Sequence, residues 1–196
     1  MSDLFKRYAV LLECIKDLRL RVLVESLLNS GEVYRRPASR RHHTGEWGML
    51  EHCVEVAEVG MKIVGIFSSP VSMDFIIVGG LLHDYGKTLI AGTPEDGCLQ
   101  HCMLGANAVY KAMEDMGTFS TREKLVVSNM VRCHHKGIDE VASANGLYLT
   151  LEDHIVHIAD ELSATQSVAK TKYAEGVKSY DMYWNKGMLF TIGGRL

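Results

Sequence analysis

Apolar positions recur at helical spacing along most of the chain. Leu4, Tyr8, Leu11, Leu12, Ile15, Leu18, Val22 and Leu23 predict an amphipathic helix over residues 4–28, stopped by Asn29-Ser30-Gly31. A second helix is predicted over 46–67, with Met49, Cys53, Val56, Gly60 and Ile63 on its buried face and His52 beside them. The run at 75–82 fits a strand or a buried helix; its β-propensity leans to strand, and Gly79-Gly80 weakens both while permitting close packing in a helix. Further helices are expected over 99–116, 122–135 and 151–168, with loops at 91–97 and 137–148. The texture then changes. Asp181-Met182-Tyr183-Trp184, Asn185-Lys186-Gly187 and Met188-Leu189-Phe190-Thr191-Ile192 predict a β-hairpin around a glycine-containing turn. The chain therefore divides into a main domain over 1–180, including the N-terminal helix, and a β-like tail over 181–196 packed on it.

Bulk properties narrow this little. A length of 196 residues suits one domain with a substantial core. A net charge of -3 excludes an overall polycation, so any grip on a polyanion must be local or made through a metal. The longest apolar run, 75–82, is far shorter than the roughly 20 residues that cross a bilayer. Asp3, Lys6 and Arg7 interrupt the first ten residues, unlike a secretory leader. The short apolar run implies no membrane partner, and five cysteines, an odd number without a repeating framework, point to a reducing, cytoplasmic setting.

The chemistry lies in a series of polar residues set among apolar ones: His52, His83-Asp84, His101, His134-His135 and Asp160. Burying such groups without partners costs about 1–3 kcal/mol each. A shared cation partners all of them, and imidazole with carboxylate suits Mn, Fe, Ni or Zn better than calcium. One such histidine alone is more often a hydrogen-bonded core residue; seven residues in this order point to a metal centre. Arg35, Arg36, Arg40, Arg41, His42 and His43 form a basic run leading into the helix of His52, which suits either anion steering or a solvated loop. Cys98, Cys102 and Cys133 flank His101 and His134, but no second cysteine pair completes a structural zinc site, so they read as small buried packing residues. His157 lies one turn before Asp160, within reach of the same site.

His52…His83-Asp84…Asp160 resembles the H…HD…D signature of the HD superfamily of metal-dependent phosphohydrolases. Leu81-Leu82-His83-Asp84-Tyr85-Gly86-Lys87 is similar to that family's LLHDIGK element, with Tyr85 in place of the usual Ile. Residues 37–52 also resemble the HD domains of 3′→5′ exoribonucleases and of conjugative relaxase-associated proteins. The resemblance implies an all-α HD-domain helical bundle, with the C-terminal β-hairpin as an appendage, and makes 75–82 a helix ending near Gly86. It implies that His52, His83, Asp84 and Asp160 hold one ion. It also implies that His101, His134 and His135 match the extra histidines of the binuclear branch, with Asp84 bridging. The expected cofactors are thus two divalent transition-metal ions, Mn, Fe, Ni or Zn. Asp84 and Lys87 would be the catalytic pair, with Lys87 on the phosphate. Arg40, Arg41, His42, His43 and His157 would face the substrate. The implied reaction is hydrolysis of a nucleotide or nucleic-acid-type phosphate ester by metal-activated water. The partner would be a small anionic phosphate or a short single-stranded nucleic acid, and a homo-oligomer is compatible. Two alternatives remain: a di-iron HD-fold oxygenase, against which Lys87 stands, and a non-catalytic HD binding module.

Overall fold

A computed structural model describes residues 2–90, 100–135 and 150–178 and the backbone of three short strands beyond them. The predicted loops at 91–97 and 137–148, and Cys98, lie outside the described residues. The first amphipathic stretch is two helices rather than one: α1 (Ser2–Cys14) and α2 (Leu18–Leu28). The break follows from Asp17, whose carboxylate caps α2 by accepting from the Arg19 amide at 2.9 Å. The amides of Lys16 and Asp17 in turn donate to the Asp74 carboxylate at 3.1 and 2.8 Å, holding the corner open. A 3-10 segment (Asn29–Tyr34) follows, with Asn29, Ser30 and Gly31 at positive φ.

Helix α3 (Gly48–Val64) begins two residues later than periodicity suggests, because Glu46 turns away to pair with Arg35. The ambiguous apolar run is α4 (Met73–Leu82), N-capped by Ser72. Ile76 to Leu82 are all buried on every side of it, so α4 is the axis around which the others pack. A short α5 (Gly86–Leu89) then leads through to α6 (Gln100–Met116), and α7 (Thr121–Cys133) runs beside α6. Helix α8 (Leu151–Ala174) continues six residues beyond the predicted end and packs on α3, α4 and α7. Capping boxes start α7 (Ser120 with Glu123) and α8 (Thr150 with Asp153).

The tail forms the expected antiparallel pair, β1 (Met182–Asn185) with β2 (Met188–Thr191), and adds a short β3 (Gly194–Arg195) beside β2. Among its described residues the body's regular elements are all helices, in keeping with the all-α bundle.

Two glycines set how closely the axis approaches its neighbours. A Cβ on Gly80 would stand 2.6 Å from the Ala57 Cα and 2.7 Å from its nitrogen, so α4 lies against the backbone of α3. A Cβ on Gly86 would meet the His101 carbonyl oxygen, fixing α5 against α6. Gly80→Ala is therefore expected to cost about 2 kcal/mol of stability through overpacking. Gly45→Ala, with open space around it, is expected to stay within about 0.5 kcal/mol. Urea denaturation midpoints of the two variants measure the difference.

Candidate metal centre

The helices meet at a cluster of imidazoles and carboxylates. His52 comes from α3, His83 and Asp84 from the turn between α4 and α5, His101 from α6, His134 and His135 from the end of α7, and Asp160 from α8. All are buried except His135, which is partly exposed. Asp84 sits at the middle. Its Oδ1 faces His101 Nε2 at 3.3 Å and His134 Nε2 at 3.5 Å. Its Oδ2 faces His83 Nε2 at 3.6 Å and His52 Nε2 at 3.9 Å, and takes a 2.6 Å contact from Lys87 Nζ. Asp160 Oδ1 closes the second group, 2.9 Å from His52 Nε2 and 3.8 Å from His83 Nε2. His135 Nδ1 lies 3.7 Å from Asp160 Oδ2.

Hydrogen bonds on the far side of His52, His83 and His134 settle which nitrogen of each points inward. His83 Nδ1 donates to the Gly80 carbonyl at 2.8 Å, and His134 Nδ1 to the Val131 carbonyl at 2.7 Å. The Ser163 hydroxyl donates to Glu55 at 3.1 Å, so its oxygen is left to accept from His52 Nδ1 at 3.1 Å. His52 and His83 therefore turn Nε2 lone pairs towards each other at 3.2 Å and towards Asp160. His101 and His134 approach Nε2 to Nε2 at 3.4 Å. Asp84 Oδ1, fully buried, has no well-formed hydrogen bond among the described residues. Lone pairs converging on one another and on an orphaned carboxylate oxygen are what a cation satisfies. The donor set fits divalent transition metals.

Electrostatics agree with that need for positive charge. Burial pushes His83 down to about 4, keeping it neutral. Burial also opposes charge on His134, yet Asp84 and Cys102 outweigh it and lift that ring to about 10. Burial raises Asp84 and Asp160, but Lys87 with the surrounding rings holds Asp84, and His52 with its neighbours holds Asp160, well below the usual carboxylate range. Burial lowers Lys87, and Asp84 more than compensates, leaving it above its normal value. Without a metal, then, Lys87 and a proton on His134 balance the buried anions.

The sequence profile of the HD domain matches residues 49–165, more than half of the chain. The chain belongs to the HD domain family. It is 29% identical over 174 residues to the dihydroneopterin 2′,3′-cyclic phosphate phosphodiesterase of Methanocaldococcus jannaschii, covering 80% of this chain and 67% of that protein. It is likewise 29% identical over 138 residues to the 3′-5′ exoribonuclease YhaM of a Geobacillus species, covering 67% of this chain but only 41% of that protein. No solved structure matches it significantly.

Within this HD domain the remaining predicted residues divide. His42 is half-buried with its ring centroid 4.9 Å from that of His52, and burial pushes it down to about 3. His43 is buried and occupied, its Nε2 3.1 Å from Glu55 Oε2. Arg40 and Arg41 are exposed, with no ion pair among the described residues. His157 turns its Nδ1 to the His134 carbonyl at 2.6 Å, supporting the backbone of a cluster residue. Lys87 is braced by a 3.3 Å contact with the Ala38 carbonyl, and Arg36 donates to the Lys87 carbonyl at 2.8 Å.

Sequence reasoning missed Glu55 and Ser163. They lie one helical turn after His52 and Asp160 and form the relay Lys170–Glu55–Ser163–His52. Burial raises the Glu55 carboxyl, but His43 and Lys170 bring it down to about 2. The available signal was a lone acid among Cys53, Val54, Val56 and Ala57, on the turn that carries His52. Ser163→Ala should leave the fold intact and weaken metal affinity about 10–100-fold, because it releases the tautomer of His52. Competition with a chromogenic chelator would measure this; unchanged affinity would separate the relay from metal binding.

Proposed function

We propose that this HD domain hydrolyses phosphodiesters of the nucleotide or short single-stranded nucleic-acid class at a centre of two divalent transition-metal ions. The observation that carries the reading is the Asp84 carboxylate, with each oxygen turned to a separate group of imidazoles and one oxygen lacking any well-formed hydrogen bond among the described residues. His52, His83, Asp160 and Asp84 Oδ2 would hold one ion; His101, His134 and Asp84 Oδ1 the other, with His135 at its edge. Bound ions of this kind polarise a phosphoryl oxygen and generate a nucleophile from water at neutral pH.

The chain's own groups do the rest. The Nδ1 hydrogen bonds to Gly80, Val131 and Ser163 keep the inward nitrogens unprotonated or ready to lose a proton. Lys87 places a buried ammonium beside Asp84, where it can counter negative charge developing on a phosphoryl oxygen. Arg40 and Arg41, exposed on the loop that leads to His42 and His52, can draw in an anion without fixing its sequence. Both named relatives act on phosphodiester bonds, one in a cyclic phosphate and one in RNA, which supports a diester over a monoester. Cys14, Cys53 and Cys102 form no disulfide, which suits a reducing cytoplasm. No helix among the described residues is long and apolar enough to cross a membrane.

Metal-loaded protein should hydrolyse 2′,3′-cyclic nucleotides or short oligonucleotides. Asp84→Ala should lose both its ions and its turnover. Lys87→Ala should keep its ions and lose about 10²–10³-fold in kcat. Metal content and steady-state kinetics on the same preparations test both. Full turnover in Asp84→Ala would refute the assignment.

A further inference from the structure

The half of the centre around Asp84 Oδ1 contains a donor that the HD signature does not include. Cys102 follows His101 in the first turn of α6 and is buried. Its Sγ lies 3.5 Å from His101 Nε2 and 4.0 Å from His134 Nε2. Those two nitrogens are 3.4 Å apart and stand 3.3 and 3.5 Å from Asp84 Oδ1, the buried oxygen without a well-formed hydrogen bond among the described residues. Donor atoms of His101, Cys102, His134 and His135 all fall within 4.8 Å of one another, as metal ligands do. A cysteine present only to fill space has no reason to set its sulfur within 4.0 Å of two ring nitrogens that themselves converge on an orphaned carboxylate oxygen. The other half is built differently: His52, His83, Asp160 and Asp84 Oδ2 offer only nitrogen and oxygen.

We propose that Cys102 is a thiolate ligand of the ion held by His101, His134 and Asp84. The two halves of the centre then have unlike donor sets, and the sulfur-bearing half prefers a thiophilic ion such as zinc or iron to manganese or magnesium. Binding exchanges the S–H bond for a sulfur–metal bond, and the proton passes to solvent. The inference rests on the two-ion reading above and adds to it the chemistry of one ion. For Cys102 it also replaces the expectation of a role only in packing.

Reconstitution of the whole protein with cobalt(II) tests this without reference to turnover. Two cobalt ions per chain are expected, with a thiolate-to-cobalt charge-transfer band in the near ultraviolet. Cys102→Ser should abolish the band and weaken one of the two ions about 10–100-fold while the other stays bound. Cys14→Ser, on α1, should leave the spectrum unchanged. Should Cys102→Ser fail to fold, zinc-edge X-ray absorption of the wild-type protein decides alone. One sulfur at about 2.3 Å is expected for every two zinc ions. Two bound ions without a sulfur neighbour, or a band that survives in Cys102→Ser, would overturn the role of Cys102 and leave the two-ion centre standing. A protein that binds no ion would overturn both.

Discussion

Two buried carboxylates, Asp84 and Asp160, face histidine rings whose lone pairs point inward, and the rest of the structure is arranged around satisfying them. Charge of this kind inside a protein is tolerated only when it is paired and hydrogen-bonded. The chain supplies one permanent cation, Lys87, at 2.6 Å from Asp84 Oδ2. The opposite oxygen has two nitrogens within 3.5 Å and no well-formed hydrogen bond among the described residues. The described residues therefore leave the cluster short of positive charge, and a proton on His134 is the remedy available among them. Divalent ions are the more complete one.

The fold answers to this requirement. A helix buried on all sides along most of its length has few ways to present polar groups, and α4 does so at its two ends, with Asp74 at the start and His83 and Asp84 just past the last turn. Gly80 lets α3 come close enough for His52 to reach His83, and Gly86 brings α6 in so that His101 reaches Asp84. Behind the rings, ordinary carbonyls and the Glu55–Ser163 relay decide which nitrogen faces inward. Positioning is thus done by backbone and by packing, and the reactive groups themselves have little freedom.

Much of this was legible in the chain because metal ligands must be particular residue types. His52, His83-Asp84, His101, His134-His135 and Asp160 stand out against their apolar neighbours in the chain itself. Other features depend on contacts distant in sequence. The corner between α1 and α2 needs Asp74 to accept the amides of Lys16 and Asp17, and nothing in the periodicity of 4–28 marks it. The run 75–82 lacks a polar face, so its period cannot be read; only its burial against several helices makes it helical. Glu55 shows only as a lone acid in an apolar stretch, and Ser163 not at all, until α3 and α8 are brought together. Cys102 resembles a packing residue until its sulfur is seen to aim at His101 and His134.

Anomalous X-ray diffraction from crystals grown with a divalent transition metal tests the central claim most directly. The account predicts two anomalous peaks about 3.5–4 Å apart, one against each oxygen of Asp84, with His52, His83 and Asp160 around one and His101 and His134 around the other. A single peak on one side of Asp84, or peaks remote from it, would contradict the account.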